Sequence, residues 1–108
     1  MINFKGSHMQ FLILGYDGTD EEALTRRMAA REEHLALGET MRQEGKLLFA
    51  TAILNDEEKM IGSMLVVNFN SRSELDSWFQ REPYVTGRVW ERTEIRRCKV
   101  GPSFLKAN

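Results

Sequence analysis

KLLFATAIL (Lys46–Leu54), NDEEK (Asn55–Lys59) and MIGSMLVVNF (Met60–Phe69) form the stretch that decides how this chain folds. The first run is apolar at both parities, with Leu47, Phe49 and Ile53 opposing Leu48, Ala50 and Leu54, as a strand covered on both faces requires. Five polar residues break it, and a second apolar run returns. Two such runs around a short polar connection predict an antiparallel hairpin.

Working outward, each side of the hairpin carries a helix and then a strand. Gln10–Tyr16 is another two-faced apolar run, Phe11 and Ile13 on one side and Leu12, Leu14 and Tyr16 on the other. After the Asp17-Gly18 turn, Thr19 and Glu22 have the spacing of a capping box. Leu24, Met28, Leu35, Leu37 and Met41 then recur at helical spacing as a buried stripe, and Gly45 supplies a left-handed stop about seven turns on. Downstream, Ser71 and Glu74 make a second capping box, and Leu75, Trp78 and Phe79 form the apolar side of a shorter helix. Pro83 forces Glu82 out of helical geometry and ends that helix. Glu91–Val100, more polar, completes the order as an edge strand.

The resulting βαββαβ order predicts an α+β, ferredoxin-like sandwich with both helices on one face of an antiparallel sheet. That leaves the other face uncovered, although three strands are apolar on both sides. A patch of that size calls for a partner, and a second copy packed sheet to sheet about a two-fold axis is the simplest one. The expected assembly is a homodimeric α+β barrel.

With 108 residues the chain supports one domain. Gly6-Ser7-His8-Met9 reads as a cleavage and cloning remnant, so residues 1–9 are set apart from a single domain over 10–108. A net charge of −1 with interspersed signs gives no field for nucleic acid or an anionic membrane, and no apolar run is long enough to span a bilayer. The single cysteine, Cys98, fits a reducing, cytoplasmic setting. No pair of cysteines or second native imidazole offers a metal site, and no cofactor is expected.

Chemistry is carried by few residues. Arg27, Arg31, His34 and Met41 fall near one another along the first helix, placing two cations and the one native imidazole on neighbouring turns. One reading makes His34 an acid or base and the arginines binders of an anionic group. The other makes His34 a core-edge residue and the arginines solvated partners of Glu22, Glu32 or Glu33. Glu82, pinned by Pro83, is placed to orient the imidazole, with Tyr84 beside it; equally, it can be an exposed helix end.

Arg31-Glu32-Glu33-His34-Leu35, Glu44-Gly45-Lys46-Leu47, Ile61-Gly62-Ser63 and Glu82-Pro83-Tyr84 together resemble the YciI-like family, over Gln10 to about Val100. The resemblance implies a small dimeric α+β barrel, related in fold to muconolactone isomerases and certain monooxygenases. It also implies a site around His34 and Glu82, with Ser63 matching a family serine. The chain departs from the common pattern in having Glu82 where Asp precedes the Pro-Tyr, and Ala50-Thr51-Ala52 where a Gly-Pro pair often ends the second strand. Expected is a cofactor-independent enzyme in which His34 transfers the proton and Glu82 orients the imidazole, by isomerisation or elimination, on a small anionic ring-containing metabolite bound through Arg27, Arg31, Ser63 and Tyr84. The alternative is a non-catalytic small-molecule-binding or accessory module.

Overall fold

A computed structural model of the protein describes residues 8–105. In chain order the elements are β1 (Met9–Asp17), α1 (Ala23–Gln43), β2 (Leu47–Leu54), β3 (Met60–Phe69), α2 (Arg72–Phe79), α3 (Pro83–Thr86) and β4 (Trp90–Cys98), followed by a 3₁₀ turn over Pro102–Leu105. The sheet runs β2-β3-β1-β4 with every neighbouring pair antiparallel, which is the ferredoxin-like α+β arrangement. Met9 opens β1, and the rest of the segment set apart as a remnant falls, but for His8, outside the described residues.

Alternation sorts the sheet into two faces. Phe11, Ile13, Leu65, Val67 and Phe69 point under the helices and join Met41, Leu75 and Trp78 in the core. Leu12, Leu14, Met64 and Val66, in register across β1 and β3, share the opposite face and are only half-buried. Burying each such aliphatic side chain contributes about 1.5–3 kcal/mol, so the core face dominates stability.

The hairpin turn is built by Asn55, whose side-chain oxygen accepts from the N–H groups of Glu57 (2.8 Å) and Lys59 (3.0 Å). Ser71 caps α2 by accepting from the Glu74 N–H at 3.1 Å. Gly45, at φ 76°, takes the left-handed conformation just past α1.

Three expectations need correction. The Thr19–Glu22 box does not form: α1 begins at Ala23, and Glu22 at its N-cap makes no side-chain capping bond. Asp20 takes that place, accepting from the Glu22 N–H (3.1 Å) and from both terminal nitrogens of Arg26 (2.9 and 2.7 Å), a forked partner that a Thr hydroxyl cannot match. Leu24, Met28 and Leu35 do not form a buried stripe; they are 44%, 52% and 51% exposed. α1 is rotated so that Arg27, Ala30, His34, Leu37 and Met41 face inward, because buried acids on other elements satisfy the two polar members of that row. Finally, Pro83 ends one helix but starts another, at the first-turn position where its missing N–H costs nothing.

Candidate functional site

Glu82 has extended backbone (φ −63°, ψ 122°), as the residue before a proline prefers, and it caps α3 by accepting from the Tyr84 N–H at 3.2 Å. The same carboxylate oxygen contacts Nδ1 of His34, so the proton of the neutral imidazole is assigned to Nδ1. Nε2 then carries the free lone pair. No hydrogen bond among the described residues engages it. Glu82 is 2% exposed, and its pairing with His34 offsets a burial that would otherwise be costly. The ring of Tyr84 stacks on His34 at 3.7 Å with an interplanar angle of 7°.

Behind Tyr84 lies a second buried group. Arg27 is 2% exposed; its Nη1 donates to both oxygens of Asp17 at 2.9 Å and its Nη2 to Ser63 Oγ at 3.0 Å. Trp90 Nε1 donates to the same hydroxyl at 3.2 Å. The Arg27 guanidinium sits over the Tyr84 ring, 4.8 Å from its centre, and Trp90 presents its ring edge-on to Tyr84 at 5.7 Å and to His34 at 6.2 Å. Burial pushes the Asp17 carboxyl up from its ordinary value while Arg27 opposes the change. Burial likewise pushes the Tyr84 phenol up, against the lowering fields of Arg27 and Arg31.

His34 and Glu82 line a cleft of about 310 Å³ between α1 and β2, whose walls include Leu35, Gly38, Met41, Leu47, Leu48, Leu65 and Trp78. Leu47, Leu48, Phe49 and Ala50 of β2 all border it, across a register irregularity in the β2–β3 ladder between Leu47 and Phe49. A larger hollow of about 1080 Å³ lies near the turn after β1, lined by Asp17, Asp20, Lys59 and Glu91 among others, without His34. The smaller cleft is the better candidate because its lining contains an imidazole paired with a buried acid.

Of the residues singled out from sequence, His34 and Glu82 meet at this cleft and Tyr84 supports the imidazole. Arg27 and Ser63 are joined to each other one layer deeper and do not line it. Arg31 is exposed, near enough to Tyr84 for its charge to act on the phenol; neither of them lines the cleft, where the cation is Arg42. Asp17, which the sequence places in a turn, is the buried partner of Arg27, and Trp90 joins the group with no sequence motif to mark it. Cys98 is half-buried, with its thiol pushed up by burial, unlike an activated nucleophile. Among the described residues, no group of three or more His, Cys, Asp or Glu could hold a metal ion, and no helix is long and apolar enough to cross a membrane.

This site sits in a chain with clear relatives. Protein YciI of Escherichia coli O6:H1 and that of Shigella flexneri are each 29% identical over 97 residues, covering 84% of this chain and 97% of theirs. Among solved structures, the 5-chloro-2-hydroxyhydroquinone dehydrochlorinase of Burkholderia phenoliruptrix, in complex with 2,5-dihydroxybenzoquinone, superposes with a TM-score of 0.73. It is 26% identical, and the match covers 88% of this chain and 98% of that one. A candidate antibiotic biosynthesis monooxygenase from Bacteroides thetaiotaomicron shares the fold (TM-score 0.55, 17% identity, 87% of this chain and 90% of that one). The sequence model of the YCII-related domain matches residues 9–99, and the chain belongs to that family.

Proposed function

We propose that this protein is a cofactor-independent enzyme that moves a proton on a small, anionic, ring-containing metabolite, by elimination or isomerisation, with His34 as the transferring group and Glu82 as its orienter. The observation that carries this reading is the His34–Glu82 contact in the lining of a largely apolar cleft. With its Nδ1 proton donated to Glu82, the imidazole offers Nε2 as base. In an elimination, Nε2 takes a proton from ring carbon, the C–H electron pair becomes a new C=C bond, and the leaving group departs with its own pair. In an isomerisation the imidazolium returns the proton at another carbon. Tyr84 forms the wall behind the imidazole, Arg31 supplies an exposed cation for the anionic group, and Arg27 and Ser63 support that wall from inside.

The dehydrochlorinase relative strengthens the elimination branch, since loss of hydrogen chloride from a ring is a reaction of this kind. The half-buried face carrying Leu12, Leu14, Met64 and Val66, with exposed Phe49 in register beside Val66, supports a homodimer joined sheet to sheet. The lone thiol fits a reducing cytoplasm.

The test is turnover of chlorinated hydroxyhydroquinones and related ring acids, followed by product chromatography, for wild type and His34→Ala. His34→Ala is expected to lose about 10²–10⁴-fold in rate. Equal product formation by the two proteins would sink the assignment.

A further inference from the structure

We propose that Ser63 is a positioning residue: its hydroxyl ties together the two groups that hold the Tyr84–His34 stack, so the imidazole's orientation depends on a side chain that does not line the cleft. The inference rests on the proton-transfer reading for its catalytic consequence and on geometry alone for the rest.

Ser63 faces inward from β3, opposite Gly15 of β1, and is 3% exposed. A serine hydroxyl has two lone pairs and one proton. Both acceptor positions are taken, by Arg27 Nη2 at 3.0 Å and by Trp90 Nε1 at 3.2 Å. Those donors come from different elements, α1 and the start of β4, and each then reaches the stack by its own route. Arg27 lies over Tyr84; Trp90 sets its edge against Tyr84 and His34 at interplanar angles of 78° and 82°. Gly15 permits this arrangement, since a Cβ there would stand 2.5 Å from the Trp90 indole. The far side of Arg27 is held by Asp17, so the guanidinium swings only if Ser63 or Asp17 lets go. With both lone pairs committed to internal donors the hydroxyl cannot accept from a substrate, and at 3% exposure, off the cleft lining, its proton does not reach the cleft. Its place in the network is to fix the Trp90 indole and the Arg27 guanidinium, the two groups packed against the stack. Misplacement of a reacting group by about 1 Å is enough to cost about 10²-fold in rate, so loss of the tie is felt at Nε2.

The experiment compares wild type, Ser63→Ala, Ser63→Cys and Trp90→Phe by NMR in the ligand-free protein. The readout is the ring-current displacement of the His34 carbon-bound protons caused by Tyr84 and Trp90, with His34→Gln identifying the resonances. The packed Phe69–Trp78 pair serves as the fold control. In Ser63→Ala the His34 displacement is expected to fall by about half or more while the Trp78 signals hold their positions. Unchanged His34 signals in a folded Ser63→Ala would overturn the proposal. If Ser63→Ala does not fold, Ser63→Cys decides it, because a thiol is a weak acceptor: a diminished displacement supports the proposal, preservation overturns it, and Trp90→Phe calibrates the share of the displacement that the indole itself supplies. None of these readouts needs turnover, so they stand or fall separately from the activity of His34→Ala. With an active substrate, Ser63→Ala is expected to lower kcat about tenfold with KM changed less than about twofold. A raised KM at unchanged kcat would instead make Ser63 a substrate-binding group and overturn the proposal.

Discussion

Glu82 Oε1 serves His34 and its own chain at once: one carboxylate oxygen meets Nδ1 of the imidazole and the N–H of Tyr84, the residue whose ring stacks on that imidazole. Helix capping and imidazole orientation are therefore one structural event. This couples the stability of the α3 turn to the geometry of the candidate site.

Removing that carboxylate carries a double cost. Glu82→Ala takes away a cap and leaves a half-buried imidazole without its acceptor, for an expected loss of about 1–3 kcal/mol in urea unfolding. Glu82→Asp, one methylene shorter, keeps the cap geometry but shortens the reach toward His34. It is expected to retain most of the stability while losing activity. Equal stability of Glu82→Ala and wild type would contradict the capping role.

Gly15 exists for Trp90. A Cβ at residue 15 would lie 2.5 Å from the indole, so Gly15→Ala must displace a ring that is packed against Tyr84 and His34 and is itself 7% exposed. Overpacking of this kind costs about 1–3 kcal/mol. Thermal melting should fall and near-ultraviolet circular dichroism should change together. A melting temperature equal to wild type would show that the indole has room to move.

Much of this was legible in the sequence, and the misreadings have identifiable causes. Hairpin, strand order and the second helix follow from alternation, turn chemistry and the Ser71 cap, all local signals. Asp17 could have been placed by parity, since it continues the inward series Phe11, Ile13, Gly15; the sufficiency of Asp-Gly as a turn obscured this. Trp90 could not. Counting inward positions back from Ile95 and Thr93 gives Glu91, but a bulge at the end of the β1–β4 ladder sets Trp90 opposite Asp17 instead. The rotation of α1 was hidden for a different reason. Hydrophobic spacing favours Leu24, Met28 and Leu35 as the buried row, and only long-range acids, Asp17 and Glu82, make the Arg27–His34 row the better one to bury.

Gly38 is a helical glycine that widens the cleft. A Cβ there would approach Leu47 Cδ2 at 3.4 Å, a close contact that a small shift of that side chain relieves. Gly38→Ala is expected to stabilise α1 by about 1 kcal/mol through helix propensity. It should also weaken binding of a planar ring ligand by narrowing the wall beside His34. Calorimetric titration with 2,5-dihydroxybenzoquinone, the ligand seen in the dehydrochlorinase relative, checks the second part. Unchanged or tighter binding would place the ligand elsewhere.

Tyr84 gives the site an alkaline signature. Its phenol is raised above the ordinary tyrosine value, first by burial, while Arg27 and Arg31 pull it back. A folded-state value above the unfolded one means that, as pH climbs past the ordinary value near 10, the unfolded chain releases its proton first. The native state then holds the extra proton, and stability falls with rising pH until the folded group also ionises. Tyr84→Phe removes this component, so its stability should decline less steeply than wild type above that pH. The chain has two tyrosines, and Tyr16 is also raised, by its hydrogen bond to Glu94, so the comparison belongs in a Tyr16→Phe background. There, ultraviolet titration reports Tyr84 alone, and Arg31→Gln should move its ionisation to still higher pH because a lowering charge is gone. No shift, or a shift to lower pH, would mean that the Arg31 charge does not act on the phenol, and would remove it as the cation proposed for the anionic group.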